Sequence, residues 1–110
     1  MVVEYQRVRS KKFDFSIAYE WEAADAGKEL PVKIYLKQNS NGEAYLSYDD
    51  IIMVQYQLDP TFKSRTIASK DNANRFEVRI WAHSRFELTA TVLLKAGRTE
   101  IVRGSVERGS

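Results

Sequence analysis

Apolar side chains recur at every second position in several separate stretches of this chain, and that rhythm restricts its fold more than any other feature. From Phe13 to Trp21 the odd positions are Phe13, Phe15, Ile17, Tyr19 and Trp21, while Asp14, Ser16, Ala18 and Glu20 fill the even ones. Alternate residues of a strand face opposite sides of a sheet, so this stretch has one apolar face. A helix, turning about every 3.6 residues, would scatter the same aromatics around its circumference. The same period selects Val32, Ile34 and Leu36 after Pro31, then Ile52, Val54, Tyr56 and Leu58 ahead of Asp59-Pro60. Phe76, Val78 and Ile80 form a further set, and Phe86, Leu88, Ala90, Val92 and Leu94 a longer one that ends at Lys95-Ala96-Gly97-Arg98. Glycine accepts positive φ at little cost, so Gly97 predicts a hairpin into a last strand from Thr99 to Arg103.

Polar, turn-rich segments separate these strands: Ala23 to Glu29, Lys37 to Glu43 and Lys70 to Asn74. The one helix-compatible stretch, Tyr19 to Leu30, has no capping residue, and the upstream alternation runs into it, so strand is expected to prevail. Seven to eight antiparallel strands with polar turns and no long helix predict an all-β chain with two sheets packed face to face, an immunoglobulin-like β-sandwich. With 110 residues one domain is expected, set at 13–103. Residues 1–12 are expected to form an N-terminal extension or first edge segment, and 104–110, rich in Gly and Ser, a flexible tail or cloning remnant.

Composition removes several functions. The chain has no cysteine, which excludes thiolate catalysis, disulfide scaffolds and Cys-based zinc sites, and is compatible with a reducing cytoplasm. A single histidine, His83, argues against a transition-metal site, since such sites draw on three or four close ligands. Asp49-Asp50 point to opposite faces if extended, which suits a solvated strand start better than paired acid/base work. No serine lies in a Gly-x-Ser-x-Gly elbow, and the scattered glycines form no phosphate-cradling loop. Asn39 to Glu43 lacks the carboxylates of a calcium loop. A net charge of +2 gives no general pull toward phosphate polymers. Arg7, Arg9, Lys11 and Lys12, with later arginines, could make a nucleic-acid patch, but Glu77, Glu87 and Glu100 are interleaved with the latter, and the solvated reading is preferred. No apolar run approaches the roughly 20 residues that span a bilayer, so no membrane insertion is expected. Neither an enzyme nor a cofactor is expected.

One part of the chain carries more information. Val54-Gln55-Tyr56-Gln57-Leu58-Asp59-Pro60-Thr61-Phe62, then Phe76-Glu77-Val78, then Phe86-Glu87-Leu88-Thr89-Ala90-Thr91-Val92 and Leu94-Lys95-Ala96-Gly97-Arg98 resemble the YEATS domain, especially its prokaryotic branch. That family pairs a Val-x-Tyr-x-Leu-His-Pro-[Ser/Thr]-Phe segment with a later Gly-[Trp/Tyr]-Gly-x-Phe loop, and its last hairpin often reads Leu-Lys-Asp-Gly-Arg. The resemblance implies an immunoglobulin-like sandwich and a non-enzymatic recognition module. It implies loops 59–64 and 81–86 meeting at one end to hold an acylated lysine or another small planar group between aromatic faces. Acylation removes the lysine charge, so the modified side chain can enter an apolar slot that would penalise free ammonium.

Carried over by position, the ligand-binding residues are Asp59, Thr61, Phe62, Trp81, Ala82, His83, Ser84 and Arg85. Phe62 would be one wall, Thr61 the hydroxyl partner, and His83 would stand where the second wall is normally Trp or Tyr. Two departures fall at this site: Ala82-His83-Ser84-Arg85-Phe86 replaces Gly-Trp-Gly-x-Phe, and Leu58-Asp59-Pro60 replaces Leu-His-Pro. Trp81 could supply the missing ring if its strand bulges. A neutral imidazole stacks on an amide whereas an imidazolium suits an anion, so binding at His83 should vary with pH across the histidine range. The resemblance further implies a cytoplasmic sensory or adaptor part of a bacterial signalling or effector system, with an acylated peptide or another protein as partner and a fused or neighbouring signalling domain. The alternative is an assembly domain with a degenerate pocket, whose sheet faces or edges bind protein.

Overall fold

The computed structural model describes residues 11–22, 30–60, 62 and 65–107. The strands are β1 (Phe15–Trp21), β2 (Leu30–Gln38), β3 (Ile51–Gln57), β4 (Thr66–Ser69), β5 (Val78–Ala82), β6 (Phe86–Leu94) and β7 (Thr99–Val106), with 3-10 turns at Tyr48–Asp50 and Asn72–Asn74. They form a three-stranded sheet ordered β1-β2-β5 and a four-stranded sheet ordered β4-β3-β6-β7, antiparallel throughout. This is the immunoglobulin-like sandwich that the alternation predicts. Val32, Ile34 and Leu36 of one sheet and Val54, Tyr56, Ala90 and Val92 of the other are fully buried between the layers. Burying each aliphatic side chain of this kind contributes about 1.5–3 kcal/mol over leaving it exposed.

Four local departures from simple alternation matter. Ile51 pairs with Leu94 but Met53 pairs with Leu93, so β3 carries an extra residue there. This bulge turns Ile51 into the core and leaves Ile52, expected inside, 42% exposed. Phe76 is buried as expected, but it precedes β5 in a turn, with φ of 58° following φ of 63° at Arg75. β7 runs past Arg103 to Val106, which is fully buried, so residues 104–106 belong to the sheet and not to a tail. β4, with little apolar content, is an edge strand that alternation did not single out. Asp49 and Asp50 lie in the 3-10 turn before β3, where Asp50 Oδ2 accepts from the Ser47 backbone N–H at 2.8 Å. Residues 1–10, 23–29 and 108–110 lie outside the described residues, and with them most of the proposed extension and the end of the proposed tail.

One buried polar contact links the layers. Tyr56 Oη, on β3, donates to the Phe76 carbonyl at 2.7 Å. Burial pushes the Tyr56 phenol well above its ordinary value, with Tyr48 and Glu77 adding to the effect. A phenol that stays protonated in the fold but ionises in the unfolded chain stabilises fully below the unfolded value of about 10, and that contribution is lost as pH rises beyond it. Tyr56→Phe is therefore expected to lower stability by about 1–2 kcal/mol near neutral pH, because the carbonyl loses its donor. The gap between variant and natural chain should narrow from about pH 10 upward. Urea denaturation at a series of pH values checks this, and a gap independent of pH would contradict it.

The two outer faces differ in kind. On the three-stranded sheet Glu20, Lys33 and Arg79 share one cross-strand row, and Glu22 Oε2 lies 2.8 Å from Arg79 Nη2 and 3.8 Å from Lys33 Nζ. The Arg75 guanidinium sits 4.2 Å from the centroid of the Tyr35 ring. On the four-stranded sheet the outward rows read Met53, Leu93, Thr99, then Ala68, Gln55, Thr91, Ile101, then Thr66, Gln57, Thr89, Arg103. The last of these side chains is the first charge met.

Candidate functional site

The segment after β3 turns back on itself at once. The Phe62 N–H donates to the Asp59 carbonyl at 3.0 Å, and Leu58 N–H donates to Arg65 O at 2.6 Å, closing the base of the loop. Asp at the first position and Pro60 at the second suit a β-turn, because proline presets φ and aspartate tolerates the turn start. The half-buried Phe62 ring lies against Phe86, the first residue of β6, with centroids 5.0 Å apart and planes at 67°. That edge-to-face contact joins the loop after β3 to the loop before β6 at one end of the sandwich. Such a pair contributes about 0.5–1.5 kcal/mol beyond area burial and holds the Phe62 ring in a defined orientation.

The other proposed residues divide by strand geometry. β5 is regular through Ala82, pairing Trp81 with Pro31 and Ala82 with Leu30, so no bulge turns Trp81. Trp81 stands on the outer face of the three-stranded sheet, 54% exposed, while Ala82 is buried on the inner face with Val78 and Ile80. The ring that might have replaced the missing wall thus points away from the side on which Phe86 is buried, and Ala82 packs in the core. His83, Ser84 and Arg85 form the exposed bend between β5 and β6. Asp59 is half-buried beside the turn. Thr61 lies outside the described residues, as do Lys63 and Ser64.

Two residues at this end were not among the expected site residues. Phe86 appears in the sequence as the start of a strand, and only its contact with Phe62 reveals it as the support of the proposed wall. Glu107, just past β7, places Oε1 3.7 Å from Arg85 Nε, and its carbonyl accepts from Trp21 Nε1 at 2.7 Å. The Arg85 pair is long and solvated, so it orients the side chain weakly. A recess lined by Leu46, Leu94, Ala96, Lys11, Asp50 and Arg98 lies at the opposite end, under the β6–β7 hairpin. Among the described residues no group of three or more His, Cys, Asp or Glu side chains could hold a metal ion.

The chemistry available at the tip is stacking and hydrogen bonding: one aromatic face, an imidazole, a serine hydroxyl, a guanidinium and backbone amides. The prokaryotic YEATS domain family matches residues 32–104, which takes in both loops, β3 to β6 and most of β7. This chain belongs to that family. A solved structure, the Yaf9 YEATS domain recognising an H3K122suc peptide, is similar to this prokaryotic YEATS domain with a TM-score of 0.59 over 84% of this chain and 69% of that one. Identity between the two is 14%, so the likeness speaks for the fold. No curated protein sequence matches this YEATS domain. Among the described residues no helix is long and apolar enough to cross a membrane.

Proposed function

We propose that this YEATS domain is a recognition module that holds an acylated lysine, or a similar small planar group, at the end formed by loops 59–64 and 81–86. The contact of Phe62 with Phe86 carries the reading, because it brings two loops far apart in sequence to one tip and fixes an aromatic ring there. The amide of an acylated lysine would stack on Phe62, with His83 on the other side, while Thr61 or Ser84 and backbone amides bond its polar atoms. Asp59 and Arg85 would flank the slot and meet the polar backbone of the peptide. Trp81 and Ala82 then support the loop and do not line the slot. Such a domain would serve as the sensory or adaptor part of a bacterial signalling or effector system in the cytoplasm, without catalysis.

Titration of acetyl-, crotonyl- and succinyl-lysine peptides, followed by NMR, tests this. At millimolar peptide the amide signals of Asp59, Thr61, Phe62 and residues 83–86 are expected to shift. Phe62→Ala should weaken binding by about tenfold, the loss of one aromatic stacking contact of roughly 1.4 kcal/mol. His83→Ala is expected to weaken it as well, since the second face of the slot is lost. No shifts at those loops with any peptide would reject the reading. The second reading, an assembly domain with a degenerate pocket, is favoured by the outward turn of Trp81 and by Ala82 and Ser84 in place of loop glycines.

A further inference from the structure

The largest uncharged surface set out by the strand register is the outer face of the four-stranded sheet, far from any role in the proposed slot. In a chain with 29% charged residues, the rows from Met53 to Ile101 carry none. Two of the three large apolar side chains exposed among the described residues lie on this sheet, Ile101 at 61% and Ile52 at 42%. Met53 and Leu93 sit between them, half-buried and paired across β3 and β6. Depletion of charge with clustered apolar exposure marks surfaces that associate, whereas the opposite sheet carries the charged row expected of a solvated face.

We propose that two copies of the chain stack through this face, with β3 of one over β6 of the other. The register makes the face complementary to itself. A two-fold axis running along the strands between β3 and β6 exchanges β3 with β6 and β4 with β7. It sets Met53 against Leu93, Gln55 against Thr91, and the protruding Ile101 against the small Ala68 at the far edge. Sheets stacked in this way keep their strands within about 30° of alignment, as the two layers of a sandwich do. A partner with a charged surface would bury unpaired charge against the rows from Met53 to Ile101, while a second copy brings charge only at Arg103 and Glu87, which stay exposed at one end of the face.

The area sets the strength. Strands of seven, four, nine and eight residues, about 4.8 Å apart, give a face of about 450 Å² per copy, or about 900 Å² in all, just under the area of a stable specific contact. The dimer is therefore weak, dissociating in the range of about ten to a few hundred micromolar.

Sedimentation of the full chain over that range is expected to show the mass doubling. Ile101→Lys should shift the midpoint at least about tenfold, and Ala68→Arg, on the opposite edge, should do the same and serves if the first variant perturbs folding. Because the chain has no cysteine, an Ala68→Cys/Ile101→Cys double variant gives a direct geometric check. Within one copy these positions are on the two edge strands, about 14 Å apart and beyond disulfide reach. Between copies they face each other across the roughly 10 Å that separates stacked sheets, so a thiol-specific cross-linker spanning about 6–10 Å should yield covalent dimer from the double variant and much less from either single one. A monomer throughout the range, a dimer insensitive to both charge substitutions, or equal cross-linking of single and double variants would each overturn the proposal. Acyl-peptide titration reads a different end of the molecule and succeeds or fails independently.

Discussion

Phe76→Ala is expected to remove about 3–5 kcal/mol of folding stability, enough to leave a domain of this size barely folded. The ring is fully buried and packs near Tyr48, with centroids 6.5 Å apart. Its backbone holds together the junction between the two sheets. The Phe76 N–H donates to Asp71 O at 3.0 Å, and Leu36 N–H of β2 donates to Arg75 O at 3.1 Å. The Phe76 carbonyl takes the Tyr56 hydroxyl at 2.7 Å. Both Arg75 and Phe76 have left-handed backbone, which costs of order 1–3 kcal/mol each for residues with a Cβ. That cost is sustained because the buried ring and these hydrogen bonds determine the turn. Removing the ring opens a cavity and releases the strained turn together. Urea denaturation measures the loss, and a change below about 1 kcal/mol would show that the turn does not depend on the ring. Arg75→Gly provides a control, since it relaxes the backbone but loses the stacking on Tyr35, and its effect should stay within about 1 kcal/mol.

Gly104→Leu is expected to cost about 3 kcal/mol, the upper end of ordinary overpacking. Gly104 lies on β7, where the two sheets approach at their edges. A Cβ at that position would come within 2.9 Å of Ile17 Cβ and 3.0 Å of its Cδ1. The contact on the far side is branched at Cβ and anchored on β1, so it cannot swing away. Farther along the same seam the Trp21 indole N–H donates to Glu107 O at 2.7 Å, which holds the two edges together. Gly104→Ala should show a smaller loss of the same origin. Combining Gly104→Leu with Ile17→Ala should recover at least about 1 kcal/mol relative to the sum of the single losses, because the added and removed side chains share one space. Strict additivity of the two substitutions would mean that the new side chain does not compete for the space of Ile17 Cγ1 and Cδ1, the neighbouring atoms that alanine removes.

The inward faces of the strands were legible because they depend on a local rule. Val32, Ile34 and Leu36, or Leu88, Ala90 and Val92, point inward whatever the remainder of the chain does, since a pleated backbone sends alternate side chains to opposite sides. The hairpin at Gly97 was legible for the same reason, its φ of 96° being a conformation that glycine adopts readily. The candidate site was legible only in part. The Leu58 to Phe62 segment located one loop through its resemblance to the family, but its neighbour Phe86 is 24 residues away along the chain and nothing in the local pattern links the two. Trp81 could be expected inward or outward until the pairing of β5 with β2 settled it.

What the amino-acid order determined by itself is the period of each strand, the turns between them and the absence of cysteine chemistry, all properties of a few neighbouring residues. Tertiary structure decided the bulge that exchanges Ile51 and Ile52, the left-handed turn at Arg75 and Phe76, the continuation of β7 to Val106 and the meeting of Phe62 with Phe86. Each of these depends on a partner strand or ring distant in sequence. The energy that selects it is released only when the two layers pack.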